Sequence, residues 1–321
     1  MNTDRMQDRE SAARWRRRAA YASIAVALTL IAVKLATYLG TGSVSILSSL
    51  IDSSVDALAS VVTLLGVAQA LTPPDAAHRF GHGKAEPLAA LAQSAFITGS
   101  AVFLGYEAIG RLVDPRPVDS TGLGIAVMIF AIVMTAGLVT FQRWVIERTG
   151  SIAIDADSLH YRGDLLMNLA VIAALVLTRV TGAGYWDPLF ALGIAGFLVW
   201  NALRIAETAL DVLMDRELPD DDRARVVALV LAHPQARGLH DLRTRSTGVG
   251  QHIDFHLELD SDLTLAEAHD ITDEIELRLR EAFPSADFSI HQEPEGLDDD
   301  RLDNRIAEAR AAARNGLLSG R

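Results

Sequence analysis

The fold is decided by one apolar stretch, Ser43-Val-Ser-Ile-Leu-Ser-Ser-Leu-Ile-Asp-Ser-Ser-Val-Asp-Ala-Leu-Ala-Ser-Val-Val-Thr-Leu-Leu65. It is long enough to cross a bilayer, and its only charged residues are Asp52 and Asp56. An ionised carboxylate in hydrocarbon costs several kcal/mol, and residues four apart share one face of a helix. We therefore expect both carboxylates to serve something inside the protein, and a divalent cation is the simplest candidate.

The composition indicates an integral membrane protein with a soluble part. Of the 321 residues, 50% are hydrophobic, and the mean hydropathy is +0.22. The chain has no cysteine, so a metal site must use histidine and carboxylate ligands. No cleavable signal peptide is expected, because the polar, basic start precedes an apolar run of full spanning length.

Negative charge is concentrated at the C-terminal end. The net charge is −12, and residues 216–321 hold 13 basic and 23 acidic residues. This balance speaks against nucleic acid and against docking on anionic lipid, and it suits a soluble module that concentrates cations or one that simply stays soluble. We predict a cytoplasmic N-terminal segment (1–18), a transmembrane domain (19–215), a cytoplasmic metal-binding domain (216–295) and a charged tail (296–321) that is either helical or disordered.

Six apolar segments can span a membrane, whose lipid would surround them. The fifth requires its polar start, 157–164, to be helical and to face inward. The distribution of Lys and Arg, with Arg111 and Arg116 as exceptions, places both termini in the cytoplasm. The predicted spans are Ala19–Leu39, Val44–Leu71, Pro87–Leu112, Thr121–Trp144, Asp157–Val180 and Trp186–Leu210.

The soluble part has the pattern α-β-β-α-β. Gln251–Leu259 alternates apolar and polar residues, as a half-buried strand does, and Thr264–Phe283 has apolar residues at helical spacing. Leu239–Ser246 and Ala286–His291 are the other predicted strands. The fold class is therefore an α-helical membrane protein with a C-terminal α+β domain.

Two pairs of polar residues in different spans predict one metal site, which we call the transmembrane set: Asp52, Asp56, His160 and Asp164. Each pair has i,i+4 spacing and projects from one helix face. One imidazole with carboxylates suits tetrahedral Zn²⁺, and also Cd²⁺ or, less selectively, Fe²⁺, Co²⁺ or Mn²⁺. Binding must displace protons, so metal-for-proton exchange is the natural mechanism. The alternative is that these residues snorkel to the interface or pair with Arg162.

Two further groups of possible ligands lie outside the spans. The loop set is Asp75, His78 and His82, which are either metal ligands or plain loop residues. A second group concentrates in the soluble domain, where the ends of the strands and the second helix can bring imidazoles and a carboxylate to a Zn²⁺ site; the alternative is a group of surface histidines. This sheet set comprises His240, His256, His269, His291, Gln292 and Glu293.

These motifs together resemble the cation diffusion facilitator family, and most closely its bacterial zinc and ferrous-iron efflux pumps. The resemblance runs from about Arg14 to Pro294. It implies a homodimeric cation/proton antiporter of the bacterial inner membrane, with six spans and a cytoplasmic ferredoxin-like, metallochaperone-like domain. It also implies transport at the transmembrane set, a second metal at the loop set and a binuclear zinc site at the sheet set. The motifs are Asp52-x3-Asp56, Phe80-Gly-His-Gly-Lys-Ala-Glu86, His160-x3-Asp164, Asp241-Leu-Arg-Thr-Arg245 and Ile290-His-Gln-Glu-Pro294.

The chain also departs from the family pattern. Glu293 stands where the bridging ligand is usually Asp, and Ala76 and Ala77 replace polar residues beside the loop set. The resemblance further implies a charge interlock between Lys84 and Asp215 that ties the soluble domain to the spans.

The expected function is export of Zn²⁺ from the cytoplasm by alternating access, with Cd²⁺ or Fe²⁺ as other possible cargo and protons as the counter-substrate. A membrane-tethered metal sensor is the main rival, but an anchor needs no carboxylate in its spans. An ion channel is disfavoured because four close ligands favour binding over passage. An enzyme is disfavoured because the sequence offers no substrate pocket or separate general base.

Overall fold

The computed structural model describes residues 2–42, 44–113, 122–297 and 301–319. The chain divides into two compact units, Met1–Met214 and Asp215–Arg321.

The described residues of the first unit form six helices, and each is long and apolar enough to cross a membrane. Their exposed surface carries large apolar side chains such as Leu58, Phe103 and Trp200, as lipid contact requires. The predicted six-span architecture is confirmed, although residue 121, the predicted start of the fourth span, lies outside the described residues. The helices are α1 (Asn2–Thr41), α2 (Val44–Ala70), α3 (Ala85–Val113), α4 (Gly122–Thr149), α5 (Ile152–Thr181) and α6 (Trp186–Leu213).

Helix α5 is continuous through its polar stretch, residues 157–164. Ser151 caps its start by accepting a hydrogen bond from the Ile154 amide, and Gly182 ends it with φ +70°. Polar residues in its first half are buried, among them Asp157 and His160. The polar segment is therefore helical and faces the helical bundle.

Glycines permit close helix packing around this polar region. A Cβ at Gly163 would lie 3.0 Å from the Leu198 side chain of α6, next to Asp164. A Cβ at Gly66 in α2 would lie 2.2 Å from the Ala89 Cβ of α3. Small residues let membrane helices approach closely, and here they bring α2 and α5 against their neighbours.

The second unit has the predicted element order, followed by one more helix. The elements are α7 (Asp220–Leu231), β1 (Gly238–Ser246), β2 (Gln251–Leu259), α8 (Leu265–Ala282), β3 (Ala286–Pro294) and α9 (Leu302–Ser319). The sheet has the strand order β1-β2-β3, with β1 and β2 antiparallel and β2 and β3 parallel. Ile253 and Phe255 of β2 are fully buried beside Ile275 of α8, which confirms the predicted apolar face.

The strand register aligns three histidines across the sheet. His240 of β1 lies opposite His256 of β2, which lies opposite His291 of β3. Strand β3 also continues three residues beyond its predicted end, so Glu293 has a fixed place in the sheet.

Within the predicted tail, helix α9 docks on β1, while residues 298–300 and 320–321 lie outside the described residues. Asp241 has a positive φ of 53°, and its carboxylate accepts hydrogen bonds from the amides of Leu302 and Asp303 at 2.9 and 3.0 Å. This contact caps the first turn of α9 from another element.

Candidate metal centres

Three of the four residues of the transmembrane set converge between α2 and α5. His160 Nε2 lies 2.9 Å from Asp56 Oδ1 and 3.8 Å from Asp164 Oδ2. One ligand atom from each of the three residues lies within 4.8 Å of the others. A single cation can therefore contact one nitrogen and two carboxylates.

Asp52 lies outside this close group but lines the same cavity. The cavity has a volume of about 910 Å³ and is bordered by all four residues of the transmembrane set. Asp56 and Asp164 keep 21% and 36% of their side chains exposed. The carboxylates are thus reachable, and Asp52 is one helical turn from the close group.

The loop set is also brought together. His78 Nδ1 and His82 Nε2 each lie 3.4 Å from an Asp75 oxygen, and the two rings are 4.5 Å apart. Backbone amides of His78 and Ala77 donate to Asp75 Oδ1 and lower the pKa of that carboxyl. Asp75 and His78 keep 50% and 61% of their side chains exposed, whereas only 8% of the His82 side chain is exposed.

In the sheet set, Glu293 receives contacts from three histidines. Its carboxylate oxygens lie 3.1 Å from His240 Nε2, 2.7 Å from His256 Nδ1 and 3.4 Å from His291 Nε2. His240, His256 and Glu293 form a compact group of possible ligands. Glu293 is therefore central despite its extra methylene relative to the usual Asp.

The buried ring nitrogens of the sheet set fit a bound metal. The Nδ1 atom of His240 is buried and makes no hydrogen bond, and the buried Nδ1 of His256 has only its 2.7 Å contact with the Glu293 carboxylate, which lacks hydrogen-bond geometry. A buried polar atom without a partner is costly, and metal coordination is one way to satisfy it. Neutral imidazole and carboxylate are also the donors that Zn²⁺ takes in the absence of cysteine.

Two residues of the sheet set lie outside the compact group. His269 is exposed on α8, with Nε2 3.7 Å from Asp273 Oδ2. Gln292 donates to Thr272 Oγ1 at 2.8 Å. Their predicted role as ligands stays a prediction.

The charge interlock likewise stays a prediction. Within the first unit, Lys84 Nζ donates to the Leu213 carbonyl at 3.3 Å. Within the second, Asp215 accepts from Arg245 at 3.2 Å and has a positive φ of 56°.

Comparison with known proteins assigns both parts of the chain. The family model described as "Cation efflux transmembrane domain" matches residues 20–214, and that described as "Cation efflux protein, cytoplasmic domain" matches residues 218–295. The chain belongs to the cation efflux family. The resemblance inferred from the motifs is thereby confirmed, and the chain is a multi-pass membrane transporter rather than an enzyme.

Several relatives are similar over most of their length. The cation-efflux pump FieF of Klebsiella pneumoniae subsp. pneumoniae is 48% identical over 280 residues, which cover 87% of this chain and 93% of that protein. FieF of Shewanella oneidensis is 48% identical over 282 residues, covering 87% and 94%. Among solved structures, CzrB is 38% identical, with 25% of this chain and 99% of that chain covered and a TM-score of 0.24.

Sequence reasoning about this cation efflux protein missed a buried polar cluster around Asp157. Asp157 is 0% exposed and accepts hydrogen bonds from Ser23 (2.6 Å), Ser60 (3.2 Å) and Gln142 (2.7 Å). The Tyr161 hydroxyl also lies within hydrogen-bond distance of Ser60 Oγ (2.9 Å) and the Ser23 carbonyl (3.2 Å). The cluster connects α1, α2, α4 and α5. An acidic residue one turn before His160 was the available signal.

A carboxylate beside the sheet set was also missed. Glu258 Oε1 lies 3.7 Å from His240 Nε2 and 2.8 Å from Arg301 Nη2 of the segment before α9. Glu258 follows His256 by two residues on the same strand, so the period of a strand places both on one face. That spacing could have identified it.

Proposed function

We propose that this protein exports Zn²⁺ from the cytoplasm in exchange for protons, as a homodimer in the bacterial inner membrane with both termini in the cytoplasm. The observation that supports this most strongly is the convergence of Asp56, His160 and Asp164 beside a cavity that Asp52 also lines. Helices that served only to anchor a protein in the membrane would not need such a group. Ionisable residues inside membrane spans are energetically expensive, and they mark the pathways of ions or substrates.

The donor set favours zinc among divalent cargo. One imidazole with carboxylate oxygens matches a tetrahedral Zn²⁺ shell. Cd²⁺ and Fe²⁺ remain competing cargo, since oxygen ligands discriminate weakly between these ions.

Proton coupling follows from the chemistry of the ligands. Carboxylates and imidazole bind the metal only when they are deprotonated, so metal binding releases protons and proton binding releases metal. Alternating access then needs two arrangements of the spans: in one the metal enters from the cytoplasm, and in the other protons replace it from outside.

The sheet set is proposed to hold resident zinc. His240, His256 and Glu293 would hold one ion, with His291, His269 and Gln292 as candidates for a second. Bound zinc would supply a fixed positive charge that cross-links the strands. The loop set is proposed as a weaker site, because two of its three ligands, Asp75 and His78, are exposed on a short loop.

The test is Zn²⁺ uptake into proteoliposomes that contain a pH-sensitive dye. We expect saturable Zn²⁺ movement against its gradient, driven by an imposed pH gradient and accompanied by opposite proton flux. Uphill movement that persists after the pH gradient is collapsed would contradict proton exchange. Zinc binding without any flux would instead favour the membrane-tethered sensor.

A further inference from the structure

A single lysine faces the proposed transport site from α1. Lys34 Nζ donates to Ser53 Oγ at 2.6 Å and to the Ser49 carbonyl at 3.1 Å, both on α2. Lys34 is one of only two lysines in a chain whose other basic residues are arginines. A cation within a membrane-spanning helix is expensive and points to a function.

The ammonium shares the cavity with the carboxylates of the transmembrane set. Lys34 lines the same cavity as these aspartates, and the other charged residues of the cavity wall, Glu107 and Arg111, form an ion pair with each other. Both of its hydrogen bonds nevertheless go to neutral oxygens of α2. The ammonium therefore contributes charge to the cavity while the carboxylate oxygens stay available for a metal.

The formal charges of the occupied site explain why a fixed cation is useful. Three ionised carboxylates and a neutral imidazole leave one excess negative charge when one divalent cation is bound. Net charge is strongly disfavoured in surroundings of low dielectric constant. One ammonium cancels this excess negative charge. If a monovalent or trivalent ion replaced the divalent cation, the cavity would carry a net charge.

We propose that Lys34 is the fixed counter-charge of the transport cavity, making the site neutral when it holds one divalent cation and so favouring divalent over monovalent or trivalent ions. This rests on the proposed transport function of the transmembrane set. Lysine suits the role because its ammonium is a compact point charge, and here two of its three N–H donors are held by Ser49 and Ser53.

Removal of this charge has opposite effects on binding and turnover. Without the ammonium, the carboxylates attract a divalent ion more strongly, so the Kd and KM for Zn²⁺ decrease by on the order of 10-fold. Release becomes slower and the occupied cavity carries net charge, so the maximal rate decreases by on the order of 10-fold as well. If Lys34 served only to link α1 to α2 by hydrogen bonds, its removal would not increase the affinity for Zn²⁺.

The experiment compares variants of the full-length protein whose loop and sheet sites are disabled by His82→Ala and His256→Ala. Lys34→Met removes the charge at similar length, and Lys34→Gln removes it while keeping a hydrogen-bond donor. Lys34→Arg keeps the charge. Ser53→Ala removes one hydrogen bond of the tie and keeps the charge. Zn²⁺ binding at equilibrium and Zn²⁺ flux in proteoliposomes are measured for each, with size-exclusion chromatography to verify folding.

The proposal predicts tighter Zn²⁺ binding with slower flux for Lys34→Gln and Lys34→Met, and wild-type binding for Lys34→Arg. It is overturned if the neutral variants bind Zn²⁺ equally or more weakly, or if Ser53→Ala reproduces their effect. Asp164→Ala in the same background separates the two proposals. If Asp164→Ala abolishes Zn²⁺ binding and the Lys34 variants leave it unchanged, only the counter-charge is wrong; if Asp164→Ala still binds Zn²⁺, the transport site itself is wrong.

Discussion

Two aspartates of helix α5, separated by two helical turns, have opposite surroundings. Asp157 is fully buried and accepts hydrogen bonds from three side chains on three other helices. Asp164 borders the cavity with 36% of its side chain exposed, and its close partner is His160. The difference shows that burial of a carboxylate within a membrane domain does not by itself identify a binding site.

The number of filled acceptor positions separates the two roles. A carboxylate surrounded by donors must lose hydrogen bonds before it can bind a metal, and each buried donor left without a partner costs free energy. A carboxylate that faces a cavity and a histidine gains a partner when a cation arrives. On this reasoning Asp157 holds the helices together and Asp164 binds the transported ion.

The largest expected effect is the loss of transport in Asp164→Ala. Removal of a direct ligand should lower the rate of Zn²⁺ flux by more than about 100-fold, since even residues that support a ligand account for roughly 10- to 100-fold in affinity. Flux of radioactive zinc into proteoliposomes measures it. The matched variant Asp157→Asn keeps most hydrogen bonds and should retain transport. If both variants lost Zn²⁺ flux equally, the two aspartates could not be assigned different roles.

A large effect on stability is expected for Asp157→Leu. The substitution leaves Ser23, Ser60 and Gln142 without their shared acceptor, and we expect the free energy of unfolding to decrease by about 2–4 kcal/mol. Thermal unfolding in detergent, with Asp164→Leu as the comparison, measures the change. Asp164→Leu should be nearly as stable as the wild type because its partners are fewer. A greater loss of stability in Asp164→Leu than in Asp157→Leu would reverse the assignment.

An intermediate effect is expected in the cytoplasmic domain. Glu293→Ala removes the carboxylate that contacts His240, His256 and His291, so zinc affinity of this domain should decrease by roughly 10- to 100-fold. Glu295→Ala, two residues along the chain, is the matched control and should keep its zinc. Zinc content per chain after dialysis reports the result, and full retention of zinc by Glu293→Ala is incompatible with the proposed site.

The smallest effect concerns the loop set and its pH dependence. Backbone amides lower the pKa of Asp75 below its ordinary value, so this carboxyl stays ionised between pH 7 and pH 5 and its stabilising contribution is lost only on acidification through that lowered pKa.

Asp75→Asn should therefore lower zinc affinity by the same factor at pH 7 and at pH 5. Zinc titration of a variant lacking the transmembrane and sheet ligands checks this, with Asp75→Glu as the control that keeps the charge. An effect of Asp75→Asn that disappears at pH 5 would show that Asp75 itself titrates in this range.

The sequence predicts some features better than others for physical reasons. Apolar length identifies the spans, and the alternation around Phe255 identifies the buried face of β2, because both depend on residues close in the chain. The partners of Asp157 and the position of Lys34 depend on which helices become neighbours, and no local pattern encodes that. The extension of β3 through Glu293 depends on pairing with β2, because the residues that form the extension have low strand propensity themselves.

We expect one transported cation to bind between α2 and α5. X-ray absorption at the zinc edge tests it most directly, on full-length protein carrying His82→Ala and His256→Ala so that the transmembrane set is the remaining site. The spectrum should show four-coordinate zinc with one imidazole nitrogen and carboxylate oxygens at about 2.0–2.2 Å, and this shell should be lost in Asp164→Ala. Zinc surrounded by water alone, or a shell unchanged by Asp164→Ala, would contradict it.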